Sequence, residues 1–142
     1  MYKREEGVAH KKSYAFALRI VKMVRYLQEE KKERVLSKQV LRSGTAVGAL
    51  IREAEYAQSR ADFVNKLNIA LKEANETDYW LNLLKDCGYI DEEPFMSMQS
   101  DCGELIALLT QSVKTSNKRG ERRGERLERR DENMNEKDDE KD

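Results

Sequence analysis

The fold is decided by residues 36–89, which read LSKQVLRSGTAVGALIREAEYAQSRADFVNKLNIALKEANETDYWLNLLKDCGY. Counted at about 100° per residue, the apolar side chains of this stretch fall on helical stripes. The first helix, residues 37–57, has Ser37 as its predicted N-cap and one stripe: Val40, Val47, Leu50, Ile51 and Ala54. The second helix, residues 60–87, has one main stripe: Phe63, Leu67, Ala70, Leu71, Ala74 and Leu81. Two long amphipathic helices joined by a short connection predict an antiparallel helical pair.

The second of these helices carries further apolar residues on its far side, namely Ile69, Trp80 and Leu83. A bundle helix needs one buried stripe, so a second stripe predicts another partner, and the simplest partner is a second copy of the chain. The preceding helix contains Gly44 and Gly48, each of which costs roughly 1 kcal/mol relative to Ala in a helix interior. Small residues permit a close approach by another backbone. These five residues are therefore the predicted oligomer interface, with a kink or a frayed helix as the alternative explanation of the glycines.

Two further amphipathic segments flank this pair. The first runs from about Ser13, a candidate N-cap, to Lys32; the last begins at Asp91 and is apolar on one side as far as Val113. Ser59 and Gly88 are the predicted N-cap and left-handed C-cap of the long helix between them. The sequence therefore predicts an all-α, antiparallel up-down-up-down four-helix bundle over residues 13–118. Residues 1–12 are predicted to be a mobile lead-in.

Residues 119–142 differ in composition from the rest, because Leu127 and Met134 are their only strongly apolar residues. Such a segment buries too little surface to offset the entropy of ordering. We expect a disordered charged tail, or a marginal helix over 121–130 held by Glu/Arg pairs.

The chain has 27 basic and 27 acidic residues, but their distribution is uneven. Residues 1–52 hold 13 Lys/Arg against 5 Asp/Glu, whereas residues 53–118 hold 6 against 12. Six of the cations fall on the outer sides of the first two helices: Arg19, Lys22, Arg25, Lys38, Arg42 and Arg52. Such a face can bind phosphate backbones without reading sequence. It can equally be a solvated surface, or pair with the acidic half of a neighbouring copy.

The sequence offers little for catalysis. The single histidine, His10, and the two cysteines, Cys87 and Cys102, make no zinc or nucleophile pattern. Di-iron bundles use a Glu-x-x-His motif, which is absent. We expect no enzymatic activity, no cofactor and no metal. The chain has no apolar run of membrane-spanning length, and its cysteine usage fits a cytoplasmic setting.

Two strings, LSKQVLRSGTAVGALIREA and AQSRADFVNKLNIALKEANETDYWLNLLKDCGYI, resemble the small bacterial four helix bundle proteins, some of which are encoded within intervening sequences of large-subunit ribosomal RNA genes. That family is similar in fold to the accessory subunit of diversity-generating retroelements. The resemblance implies a ring-like homo-oligomer, a pentamer, and an RNA or DNA partner. It also implies a possible reverse transcriptase partner and no catalytic residues. The alternative is a protein–protein adaptor or structural oligomer without a nucleic-acid role.

Overall fold

The computed structural model describes residues 7–139, with side chains through residue 137, and contains four α-helices. They are α1 (Val8–Glu29), α2 (Leu36–Glu55), α3 (Arg60–Asp86) and α4 (Glu92–Asp139). Each helix packs against the next in the chain, and α4 closes the ring on α1. This is the antiparallel four-helix bundle that the sequence predicts.

The core is built from the predicted stripes of all four helices. Its largest fully buried side chains include Phe16, Ile20 and Leu27 of α1, Leu81 and Leu84 of α3, and Leu105 and Leu109 of α4. Cys102 is also fully buried, and its thiol lies 3.2 Å from the carbonyl oxygen of Ala74. The apolar stripes therefore set the rotation of each helix about its own axis.

The boundaries of α3 follow the predicted signals. The backbone N–H of Asp62 donates a 3.1 Å hydrogen bond to the hydroxyl of Ser59, which is the N-cap. At the other end, Gly88 has φ +80°, the left-handed conformation that ends a helix at little cost for glycine.

The predicted start of α1 at Ser13 is wrong. The helix begins at Val8 with Gly7 as its N-cap, and no side chain caps it. Ser13 is instead a buried interior residue whose hydroxyl donates to the carbonyl oxygen of His10. The apolar pattern extends back to Ala9, which packs against the core, so residues 8–12 belong to the helix. The rest of the predicted lead-in, residues 1–6, lies outside the described residues.

The side chain that caps the N-terminus of α2 is not the predicted one. Ser37 was the expected cap, but the carboxylate of Glu33 accepts hydrogen bonds from the backbone N–H groups of Val35, Leu36 and Ser37 at 2.7–2.9 Å. Glu33 is consequently buried although it is charged. The three amides outweigh the burial of this carboxyl, and its pKa is lower than usual.

The structure does not show the predicted disorder within residues 119–139. Here α4 continues as helix beyond the bundle, with exposed side chains from 121 to 137. Glu, Arg and Lys are strong helix formers, and the segment propagates from a helix that the bundle has already nucleated. Residues 140–142 lie outside the described residues.

Candidate nucleic-acid interface

The structure divides the six predicted nucleic-acid-binding cations into two groups of three. In the first group, which we call the engaged cations, each side chain contacts a polar group of another helix: Arg19, Arg42 and Arg52. In the second group, the open cations, no ion pair is formed with any other described residue: Lys22, Arg25 and Lys38. Sequence position alone did not separate these groups, because the partners lie on helices distant in the chain.

Arg42 is held between two carboxylates of α3. Its guanidinium lies 3.1 Å from an oxygen of Glu73 and also pairs with Glu76. The hydrogen bond to Glu76 raises the pKa of Arg42, and the same contact lowers the pKa of Glu76. Burial and the neighbouring Glu76 raise the pKa of Glu73. The charge of Arg42 is thus compensated within the chain, which weakens its case as a phosphate ligand.

Arg19 and Arg52 are engaged in different ways. Arg19 reaches α4, where it pairs with Asp101 and donates a 2.8 Å hydrogen bond to the hydroxyl of Ser97. Arg52 lies 3.4 Å from Nε2 of His10, whose Nδ1 is 2.7 Å from a carboxylate oxygen of Glu55. Both arginines therefore help to join α1 to its neighbours.

The open cations lie toward the end of the bundle where α1 turns into α2. A 3.2 Å hydrogen bond from Gln28 to Ser37 fixes the pairing of the two helices there. Arg25 is one helical turn before Gln28, and Lys38 directly follows Ser37, so both occupy this end. The connection itself adds three exposed cations that sequence reasoning overlooked: Lys31, Lys32 and Arg34. We call Arg25, Lys31, Lys32, Arg34 and Lys38 together the basic end.

The cap of α2 places one carboxylate within the basic end, where backbone amides hold it. Glu33 lies in the middle of this cationic run, but its carboxylate is buried against backbone amides and does not face solvent. Glu29 and Glu30 remain exposed nearby. The signal that could have revealed the basic end is the run KKER between two amphipathic helices.

The same end of the bundle is acidic on its other half. An up-down-up-down arrangement places the α3–α4 connection at the end that also holds the α1–α2 connection. The exposed acidic residues there are Asp86, Asp91, Glu92 and Glu93. This end therefore presents opposite charges on its two halves.

A separate surface groove lies toward the opposite end, between α1 and α2. It has a volume of about 660 Å³, and its walls include the exposed aromatic rings of Tyr14 and Tyr56. Arg52 and Lys66 also line it, and Lys66 is 3.3 Å from a carboxylate oxygen of Glu53. The groove is mainly apolar and does not include the open cations.

Gly44 and Gly48, which the sequence assigned to an oligomer interface, face α1 of the same chain. A Cβ added to Gly44 would lie 2.9 Å from Ile20, and one added to Gly48 would lie 3.3 Å from the hydroxyl of Ser13. The close helix approach that these small residues permit is thus used within one chain. Fraying does not explain them, because α2 is continuous from Leu36 to Glu55.

The other three predicted interface residues do not share one environment. Trp80 packs against the core of its own chain, and its ring lies edge-on to Tyr79 at a centroid distance of 5.0 Å. Ile69 and Leu83 are half-buried and are not part of the apolar shell around the described core. Of the predicted second stripe, Ile69 and Leu83 are therefore the residues that face outward. The predicted oligomer interface stays a prediction.

Residues 7–139 offer little for metal binding, thiol chemistry or membrane insertion. The described residues contain no cluster of His, Cys, Asp and Glu that could hold a metal ion. Burial, with the nearby charge of Asp78, raises the pKa of the Cys102 thiol to about 12, so this thiol stays protonated at neutral pH. None of the described helices is both long enough and apolar enough to cross a membrane.

Comparison with known proteins finds a matching family model and a similar solved structure. Residues 5–111 match the model of the family described as 23S rRNA-intervening sequence protein. A crystal structure of a protein of unknown function from the S23 ribosomal protein family of Bacteroides thetaiotaomicron is similar, with 58% sequence identity and a TM-score of 0.75. The similarity covers 75% of this chain and 99% of that one. No curated protein matches.

Proposed function

Because this chain belongs to the 23S rRNA-intervening sequence protein family, we propose that it is a non-enzymatic accessory protein that binds RNA by its phosphate backbone. The family description links the chain to ribosomal RNA and goes no further. The observation that carries the finer proposal is the basic end, where five exposed cations gather around the α1–α2 connection. The cytoplasm, where ribosomal RNA is found, is the proposed location.

The chemistry of the basic end suits phosphate contacts more than base recognition. Lys and Arg side chains there are exposed, and contacts of this kind position a protein on nucleic acid without reading its sequence. Each phosphate that is neutralised releases condensed counterions, which makes affinity fall as salt rises. Lys22, one turn before Arg25 along α1, would extend the contact.

The division between open and engaged cations provides the test. One variant replaces the open cations (Lys22→Gln, Arg25→Gln, Lys38→Gln), and a matched variant replaces the engaged cations (Arg19→Gln, Arg42→Gln, Arg52→Gln). Each removes three positive charges, so a difference between them reports the place of the charges and not their number. We expect the first variant to lose most of its affinity for structured ribosomal RNA in a filter-binding assay and the second to lose little. Equal losses would contradict a contact through the open cations, two of which, Arg25 and Lys38, belong to the basic end.

A homo-oligomer would strengthen such binding, because a ring of copies would bring several basic ends together. We propose a ring-like assembly, with a pentamer as the implied number, that uses the outward Ile69 and Leu83 of α3. A reverse transcriptase or another protein partner would then join through the same assembly. Support for this part comes from the half-buried, outward-facing Ile69 and Leu83 and from the resemblance to ring-forming bundle proteins.

The competing proposal is a protein–protein adaptor without an RNA role. The observation that favours it is the opposite charge of the two halves of one bundle end, because the basic half of one copy complements the acidic half of another. The two proposals differ in what replacing the open cations changes. The adaptor predicts a change in self-association or protein partner binding with no effect on RNA, whereas the RNA proposal predicts the reverse.

A further inference from the structure

The helix α4 extends well past the bundle that the other three helices complete. Its last fully buried residue is Leu109, and Val113 is half-buried. From Arg119 to Asp139 the helix continues for about 30 Å at 1.5 Å per residue. This extension lies beyond residue 111, where the family match ends, so the family does not account for it.

The charges of this extension are segregated by face. At about 100° per residue, five arginines fall within an arc of about 100°. We call them the arginine stripe: Arg119, Arg122, Arg123, Arg126 and Arg130. Glu121 and Glu128 lie on the opposite side of the helix, and Glu125 lies between them and the edge of the stripe at Arg122. The stripe is about 17 Å long.

The arginine stripe has no counter-charge within the described chain. Arg129 pairs with Glu125 at 3.9 Å, but it lies beside the stripe, and no described residue forms an ion pair with the five stripe arginines. Within the stripe, Arg119 and Arg123 are four residues apart, as are Arg122 and Arg126, and like charges at this spacing destabilise a helix. An anion that binds along the stripe would relieve that repulsion.

Self-association of the extension fits the sequence poorly. The line of α4 that faces the bundle continues into the extension with only two apolar residues, Leu127 and Met134, and both are exposed. Arg130 lies between Leu127 and Met134 along this line, and Arg123 lies one turn before Leu127. A coiled-coil seam needs apolar residues at both of its repeating positions, so this line does not supply one.

We infer that the arginine stripe binds along the phosphate backbone of an RNA duplex, as a second contact surface separate from the basic end. Arginine holds phosphate bidentately, and a straight helix presents such groups in a fixed row. Residues 112–139 contain no Phe, Tyr or Trp, so stacking on unpaired bases is not available to this surface. The choice of RNA among polyanions rests on the proposed function, whereas the stripe itself rests on the structure.

The test uses the full chain and a 20-base-pair RNA duplex, with the single strand of the same sequence as a second probe. A stripe variant replaces all five arginines with Gln. A swap variant (Glu121→Arg, Arg122→Glu, Glu125→Arg, Arg126→Glu) keeps composition and net charge but removes two arginines from the stripe. Circular dichroism and sedimentation of each variant check helix content and assembly.

We expect the slope of log affinity for the duplex against log salt to be shallower in the stripe variant than in the wild type by about 3 to 5, since each duplex contact contributes about 0.9. The swap variant should lie between it and the wild type. The single strand should bind more weakly than the duplex. A stripe variant with the wild-type slope, or a swap variant that equals the wild type, would overturn the inference.

Two further outcomes separate this inference from the proposed function. If the wild type binds duplex RNA and only the open-cation variant weakens that binding, the proposed function stands and the stripe is not a contact. If the wild type binds neither RNA probe, both are overturned. A change in sedimentation of the stripe variant without any change in RNA binding would make another copy of the chain the partner and would also overturn the inference.

Discussion

Gly44 of α2 lies directly against Ile20 of α1: a Cβ built on Gly44 would be 2.9 Å from Cγ1 of Ile20, whose side chain is fully buried. No real Cβ contact is that short, so either the isoleucine or the helix would have to move. The absence of a side chain at position 44 therefore sets the distance between α1 and α2.

The first prediction concerns this contact. Gly44→Ala should destabilise the bundle by about 1–3 kcal/mol, because overpacking a rigid core outweighs the better helix propensity of alanine. Gly103→Ala is the matched control, since a Cβ there meets nothing within 4 Å. It should stabilise α4 by up to about 1 kcal/mol. Urea unfolding measures both, and equal effects of the two substitutions would contradict the packing argument.

The second prediction concerns the buried hydroxyl pair that joins α2 to α3. Oγ1 of Thr77 lies 2.8 Å from Oγ of Ser43, and both residues are fully buried. Thr77→Val should cost about 1–3 kcal/mol because it leaves the hydroxyl of Ser43 without its partner. The double variant Ser43→Ala, Thr77→Val should recover part of that loss, as measured by thermal unfolding. Simple addition of the two single effects would show that the hydroxyls are not coupled.

The third prediction concerns pH and Glu33. Because the pKa of Glu33 is lower in the folded chain than in the unfolded one, its contribution is complete at neutral pH. That contribution is lost as the pH falls through the folded-state pKa. Glu33→Gln should therefore destabilise the bundle by about 1 kcal/mol at pH 7, comparable to the loss of a helix cap.

The difference between wild type and Glu33→Gln should shrink as the pH is lowered from neutral to acidic, through the folded-state pKa of Glu33, because the protonated side chain resembles glutamine. Glu30→Gln, an exposed neighbour, is the control and should have little effect at either pH. Unfolding curves across this pH range measure the effect. A difference that stays constant with pH would mean that the charge of Glu33 does not contribute to the cap.

The fourth prediction concerns assembly. Trp80 packs on its own core, so a substitution there would confuse assembly with folding. Ile69→Asp and Leu83→Asp remove outward apolar surface and should shift the protein to smaller species in sedimentation velocity while helix content is kept. Asn68→Asp, at an exposed neighbouring position, should leave the assembly intact. A wild-type chain that sediments as a monomer would contradict the homo-oligomer.

The sequence predicted the parts of the fold that depend on local rules. The apolar stripes gave four helices and their buried faces, and Ser59 and Gly88 marked the ends of α3 because a hydroxyl cap and a left-handed glycine act within a few residues. The start of α1 was missed because no side chain caps it. The cap of α2 was missed because Glu33 acts from outside the helix, on three consecutive amides.

The candidate site was less predictable because it depends on contacts between helices. Arg42 and Lys38 belong to the same outer side of α2, yet only Arg42 meets two carboxylates, and those lie more than thirty residues away in the chain. The glycines of α2 were assigned to an interface between copies, whereas they face α1 of the same chain, because a periodic pattern does not say which helix approaches. The arginine stripe follows from continuing α4 as a helix, where composition alone suggested disorder.

The most direct test of the proposed function is the salt dependence of RNA binding by the wild type and by the two triple variants. Replacing the open cations Lys22, Arg25 and Lys38 should make the slope of log affinity against log salt shallower by about 2 to 3, since each neutralised phosphate contributes about 0.7–0.9. Replacing the engaged cations Arg19, Arg42 and Arg52 should change it by less than about 1 on the same scale. Equal slopes for wild type and open-cation variant would contradict a phosphate contact through the open cations.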